Sequence, residues 1–170
     1  MNGAVIAPVV IGLGGNVGTE PEIIGRFGDA RAALGALGAV RSARLYRSAP
    51  LGPAQPAYLN TAVQVALDGA QPDELIETLL ELERLLGRRR EAEARWGPRP
   101  LDLDVLVWGA RVVRTPALEV PHPRLHERKF ALAPLVDLVG EDFAIPGAGP
   151  AGAALRRVAD QVCEDLAATW

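Results

Sequence analysis

Asp102 and Asp104 stand two residues apart in LDLDVLVWG, and in an extended strand that spacing turns both carboxylates to one face with their Cα atoms roughly 6.6 Å apart. Acids so placed can converge on one divalent cation or hold a pair of cations about 3.5 to 4 Å apart. Leu101, Leu103, Val105 and Val107 take the opposite face, and the acidic face is expected to continue through Leu106 and Trp108. A bare D-x-D in a strand is most often a solvated edge. Here the face turns apolar within two residues, where unpaired carboxylates would be costly if covered. Oxygen donors of this kind suit Mg²⁺, whose shell is commonly completed by substrate phosphates.

Just upstream, Arg88, Arg89, Arg90, Arg95 and Arg99 gather around Trp96, offset only by Glu91 and Glu93. Carboxylates, a divalent cation and planar guanidiniums together complement a nucleotide polyphosphate. Without the acid pair the same run would read as a solvated loop. Arginine as a type says little, because Lys129 is the only lysine among 18 basic residues. Further on, PHPRLHERKF places His122 among Arg124, His126, Arg128 and Lys129, a second set able to clamp phosphate. Two histidines without a third suitable ligand do not make a zinc site.

Tyr58 and Asn60 lie where a Pro/Gly-rich stretch returns to a strand, and so face the same way. An aromatic plane beside an amide can stack on and hydrogen-bond a flat heterocycle, although a tyrosine at such a place is more often packing. The glycine-rich GLGGNVG fails the dinucleotide spacing, since position 17 is valine, and it lacks the Gly-Lys-Ser/Thr of a P-loop. It reads as a tight turn from strand to helix.

The elements that must position these groups follow from periodicity. Strands are expected near 4 to 13, 40 to 47, 60 to 67 and 101 to 113, with a tight turn at Gly109-Ala110 into Arg111-Val112-Val113. Thr19-x-x-Glu22 opens a helix running to about Leu37, before Gly38. Pro72, Asp73 and Glu74 open another, with Leu75, Leu79, Leu82 and Leu86 as its apolar stripe and Gly87 as its end. A short helix is expected in HERKFALAPLVDLV and a final one from Ala151 to Leu166, with Cys163 on its packing face. Strands and helices so distributed predict a layered α+β domain with a mostly antiparallel sheet.

With 170 residues, 49% of them hydrophobic, the chain can bury a core as one domain. The apolar AVIAPVVIGL has no basic residue before it and is too short for a bilayer, so neither signal peptide nor anchor is expected. A single cysteine permits no internal disulfide and fits a reducing cytosol. The net charge of −3 argues against a surface built to bind nucleic acid, though not against a local basic patch.

L-G-G-N near the start, YRSAPLG with QPAYLN, RWGPRPLDLDVLVWG and VPHPRLHERKFALAPL, spanning roughly residues 5 to 140 in that order, resemble the 6-hydroxymethyl-7,8-dihydropterin pyrophosphokinase family of the folate pathway. The resemblance implies a ferredoxin-like α+β sandwich with helices on the faces of the sheet. It implies transfer of the β,γ-diphosphate of ATP to the pterin's hydroxymethyl group, giving AMP and the pterin diphosphate. By that likeness Asp102 and Asp104 hold two Mg²⁺ ions, while Arg88, Arg90, Arg99, His122 and Arg128 meet the ATP phosphates. Arg88 and Arg99 count with the acids as catalytic, and Arg89 and Arg90 can exchange roles. Tyr58 and Phe130 sandwich the pterin, Asn60 bonds its edge, Ser48, Leu51 and Gly52 line its pocket, and Trp96 closes over nucleotide and pterin alike. The implied protein is a cytoplasmic monomer acting on small molecules, with neither nucleic acid nor membrane as partner. Two rivals remain at this level: a non-catalytic ferredoxin-like module binding RNA or a nucleotide, and, weakened by the glycine spacing, a nicotinamide-binding enzyme.

Overall fold

A computed structural model describes residues 7–90, 93 and 96–170. In chain order its elements are β1 (Val9–Gly15), α1 (Glu20–Gly35), β2 (Val40–Ser42), β3 (Tyr46–Ser48), β4 (Tyr58–Val65), α2 (Pro72–Leu85), β5 (Asp102–Trp108), β6 (Val113–Arg114), β7 (Glu119–Val120), α3 (Lys129–Val139), β8 (Ala144–Ile145), β9 (Gly149–Pro150), α4 (Ala151–Arg157) and β10 (Cys163–Asp165). The main sheet runs β10-β3-β4-β1-β5, with β2 also alongside β4, and every pair in it is antiparallel. The order β3-β4-β1-β5 interleaves two β-α-β units, which is the ferredoxin-like arrangement.

Alternation along the strands creates two cores. Val9, Ile11 and Leu13 of β1 and Leu103 and Val105 of β5 join Phe27, Leu34, Leu75 and Leu79, so α1 and α2 cover one face. Val10, Ala62 and Leu106 join Leu132, Leu135 and Ala154, so α3 and α4 cover part of the other. Each such buried aliphatic or aromatic side chain contributes about 1.5–3 kcal/mol. At the start of α1 the Glu22 carboxylate accepts from the Thr19 N–H (2.7 Å), as the capping pattern predicts, and also from the Thr19 hydroxyl (2.8 Å).

Several local expectations change. The glycine run is strand rather than turn: Gly12, Gly14 and Gly15 belong to β1, and the chain turns only at Gly18, at φ +95°. The strand expected over 40 to 47 is two, β2 and β3, because Leu45 between them bonds Ala168 and Leu166 instead of continuing along β4. After Gly109 the chain does not fold back on β5; β6 pairs with β7. The last helix ends at Arg157, and Cys163, rather than packing on a helix, lies in β10 against Ser48. Residues 161 to 166 find hydrogen-bond partners on α3 and β3 that a helix would forgo, so tertiary pairing overrides local propensity.

One irregularity matters for the site. Val10 pairs with Val107 but Ile11 pairs with Val105, so Leu106 bulges out of register. The extra residue reverses the alternation beyond it. Leu106 stays on the face of Asp102 and Asp104, whereas Trp108, expected there too, crosses to the opposite core.

Candidate active site

Part of the sheet face that carries α3 is left uncovered, and a cleft forms over it. Its floor is ordered by register: Asn60, Gly14 and Asp102 stand in one row across β4, β1 and β5, and Ala62, Gly12 and Asp104 in the next. Strands lie about 4.8 Å apart, so Asn60 and Asp102 flank a bare glycine at a separation of about 10 Å. A Cβ on Gly14 would come within 3.3 Å of Asn60 Oδ1, and one on Gly12 within 3.2 Å of Leu106. These glycines serve close approach over the floor, a role that glycine spacing alone did not disclose.

The acid pair differs in its surroundings. Asp102 accepts from Arg88 on Oδ1 and from Arg99 Nη1 on Oδ2 (2.7 Å). Burial works to raise its pKa, but the two guanidiniums overcome that and hold the carboxyl below its usual range. Asp104 has 44% of its side chain open to the cleft. The protein around it, and next the Asp102 charge, push it above the usual range. Arg88 is only 4% exposed and is shared among Asp102, Glu93 (3.1 Å) and Glu83 (2.8 Å). Glu83, 1% exposed, also accepts from Arg90 (2.6 Å) and from the backbone N–H of Leu103 (2.8 Å). Arg88 therefore braces Asp102 from behind and Arg90 pairs with Glu83, and neither lines the cleft as Arg99 does. Arg95 falls outside the described residues.

His122 owes its place to the bulge, because Leu106 gives its carbonyl to the His122 N–H at 2.9 Å. The Arg124 N–H donates to His122 Nδ1 (3.1 Å), so in the neutral ring the proton sits on Nε2, 4.0 Å from Asp104 Oδ2. Burial first, and Arg128 second, push this imidazole down to about 4. Arg128 lines the same wall, and its Nε is buried with no hydrogen-bond partner among the described residues. Burial and the nearby Arg124 disfavour its charge. A guanidinium in that state is completed by an anion.

On the other side, Asn60 Nδ2 donates to Ser48 Oγ at 2.7 Å, which leaves Oδ1 as an acceptor over the floor. Tyr58, Phe130, Leu51 and Trp96 also line the cleft. Tyr58 is tied to Gly97 O at 3.2 Å. Gly52, at φ +95°, lies against Trp96, where a Cβ would approach to 2.9 Å, and it does not line the cleft. Asn16, buried, joins both flanking loops: its Nδ2 donates to Gln55 Oε1 (3.0 Å) and Pro56 O (2.9 Å), and its Oδ1 accepts from the Arg99 N–H (2.8 Å). Gln55 in turn donates to Trp96 O at 2.7 Å.

Sequence reasoning passed over Glu83, and it quoted Asn16 and Gln55 only within motifs. Glu83 had a visible signal, an acid on the apolar stripe four residues after Leu79. No group of three or more metal-ligating side chains occurs among the described residues. Asp102 and Asp104 are two oxygen donors on one face with a cleft above them. That set fits Mg²⁺, which keeps waters and takes substrate oxygens for the rest of its shell.

Fold and site together define an α+β protein with an acid pair, cationic groups and a flanking amide and aromatics in one cleft, a layout for a phosphorylated ligand beside a flat ring. A family model for 7,8-dihydro-6-hydroxymethylpterin-pyrophosphokinase (HPPK) matches residues 10–140. The chain is 35% identical over 164 residues to 2-amino-4-hydroxy-6-hydroxymethyldihydropteridine pyrophosphokinase of Synechocystis sp., covering 95% of this chain and 78% of the relative. It is 40% identical over 143 residues to the protein of the same name in Pseudomonas aeruginosa, covering 83% and 85%. It is also 42% identical over 138 residues to a mitochondrial folate synthesis bifunctional protein of Arabidopsis thaliana, covering 78% of this chain but 23% of that protein. The crystal structure of wild-type Plasmodium falciparum HPPK-DHPS superposes with a TM-score of 0.65 at 11% identity, over 89% of this chain and 41% of that one, a likeness of fold. The chain belongs to the 7,8-dihydro-6-hydroxymethylpterin-pyrophosphokinase family. That membership does not favour a non-catalytic RNA- or nucleotide-binding module.

Proposed function

We propose that this protein transfers the β,γ-diphosphate of ATP to the hydroxymethyl group of 6-hydroxymethyl-7,8-dihydropterin, a step of folate biosynthesis, releasing AMP and the pterin diphosphate. The observation that carries the reading is the floor, where Asn60 and the acid pair flank a strip of bare glycine. A bicyclic ring held at Asn60 extends its exocyclic carbon along that strip toward phosphates held at Asp102 and Asp104.

The pterin's oxygen forms a bond to the β-phosphorus in line with the bridging oxygen that leaves with AMP, and the hydroxyl proton passes to solvent. Asn60 Oδ1 accepts from a ring N–H, with the amide's orientation fixed by Ser48. Tyr58 and Phe130 flank the ring. Arg99 and Arg128 take the anionic oxygens, and His122, neutral with its proton on Nε2, donates one hydrogen bond without bringing a charge. Asp102 and Asp104 would hold Mg²⁺, two ions in this reading, which when bound would supply charge neutralisation to the triphosphate. The reading takes residues 1–170 as one domain acting as a cytoplasmic monomer. No helix among the described residues is long and apolar enough to cross a membrane.

The test is to supply ATP, Mg²⁺ and the pterin alcohol and to identify the nucleotide formed. AMP is expected; ADP would exclude diphosphate transfer. Asp102→Ala and Asp104→Ala are each expected to lower kcat by about 10²-fold or more while the far-ultraviolet circular dichroism stays unchanged. Activity retained in both variants would remove the acids from the metal-holding role.

A further inference from the structure

Arg128 is the residue that opens α3, at φ −126° and ψ 104°, and its side chain supplies no cap to the helix. The N–H that follows it, that of Lys129, belongs to the first turn and has no partner within the helix. Gln161 reaches both peptide groups that bound Arg128. Its Oε1 accepts the Lys129 N–H at 2.9 Å, and its Nε2 donates to the Glu127 carbonyl at 2.7 Å. Lys129 returns the contact, its Nζ donating to the carbonyls of Ala159 (2.8 Å) and Gln161 (3.1 Å). From there the chain enters β10, where Cys163 registers with Ser48, the residue that orients Asn60. Gln161 lies outside residues 10–140, the stretch that carries the family match.

We infer that Gln161 is a positioning residue for Arg128: one side-chain amide grips the backbone before and after the arginine and so aims its guanidinium into the cleft. The inference rests on the proposed nucleotide reading, in which Arg128 receives a phosphate. Each plane also has a backbone bond, Arg128 N–H to Leu125 O (3.2 Å) before the side chain and Ala131 and Leu132 N–H to Arg128 O (3.1 and 3.0 Å) after it, and the Gln161 amide fastens the opposite edge of both. With Gln161 removed, each plane keeps one hold in place of two, and binding must also order the backbone it loosens. Gln161 itself does not line the cleft.

The test is calorimetric titration of α,β-methylene-ATP with Mg²⁺ into four full-length proteins: the wild type, Gln161→Met, Arg128→Met and the double variant. Methionine keeps the length of the side chain and removes both hydrogen bonds. Gln161→Met is expected to weaken binding about fivefold, in line with the net worth of one hydrogen bond. Arg128→Met should weaken it further, and the double variant should bind no worse than Arg128→Met alone. A purely structural role for Gln161 would persist in the Arg128→Met background, and that persistence would overturn the inference. So would wild-type affinity in Gln161→Met when Arg128→Met is weakened. Unchanged binding in Arg128→Met would bring down the nucleotide role of Arg128, and the inference with it.

Discussion

A carboxylate that is 1% exposed survives in a core only when its oxygens are filled, and Glu83 meets that condition through Arg88, Arg90 and the Leu103 amide. Removing one partner of a buried pair leaves the other uncompensated, so Glu83→Ala is expected to lose about 3–5 kcal/mol of stability. Urea unfolding measures it, and Glu83→Gln, which keeps an acceptor for Leu103, should lose less. At this scale the sequence was informative wherever the relevant neighbours are close along the chain. Asp102 with Asp104, and Tyr58 with Asn60, follow from a period of two. Asn16 and Gln161 act through partners 32 to 83 positions away, and no local pattern encodes such a distance. Arg88 and Arg90 were legible as cations and Glu83 as an acid on the apolar stripe, but not that the three pair with one another away from the cleft.

Among the elements, glycines separate what periodicity reaches from what it misses. Gly38 stands after α1 where a helix-ending glycine is expected, yet its need is steric: a Cβ there would lie 1.9 Å from Ala66 O. Gly38→Ala is therefore expected to force β4 and the approach to β2 apart and to cost about 1–3 kcal/mol, read from the denaturation midpoint. Gly14→Ala is gentler, since its methyl meets a side-chain oxygen, Asn60 Oδ1, at 3.3 Å rather than a backbone carbonyl at 1.9 Å. It should weaken a pterin analogue several-fold while α,β-methylene-ATP binds as before. Strand existence followed from alternation, and the capping of α1 from four consecutive residues. The bulge at Leu106 did not, because it is settled by how β5 meets β1, and its consequence is the placement of His122. The early end of α4 is of the same kind, decided by partners on α3 and β3.

Across the whole molecule, α3, β3 and β10 meet at one polar cluster, where Asp137 accepts from the Tyr46 hydroxyl (2.8 Å) and from Arg44 (2.6 Å), and Arg44 also pairs with Asp165. Burial first, and the bond to Asp137 second, raise the Tyr46 hydroxyl above its ordinary value of 10.0. The unfolded chain thus releases this proton before the folded one. The stabilisation is complete below pH 10 and falls as pH rises beyond it, by at most about 1.4 kcal/mol per pH unit for the one group. Tyr46→Phe should flatten that alkaline decline in urea midpoints measured from pH 9 to 11. The two-faced α+β design was legible from the spread of strands and helices, and the ferredoxin-like order from the family resemblance alone. What links the layers at their far edge was in neither.

Because Gly12 and Gly14 are paired to strands on both sides, their amide hydrogens can be traded for deuterium only when the entire sheet comes apart. In heavy water they should rank among the slowest in the chain, and positions 50 to 56 among the fastest. The glycine floor of the cleft then keeps its shape through every lesser fluctuation of the chain around it.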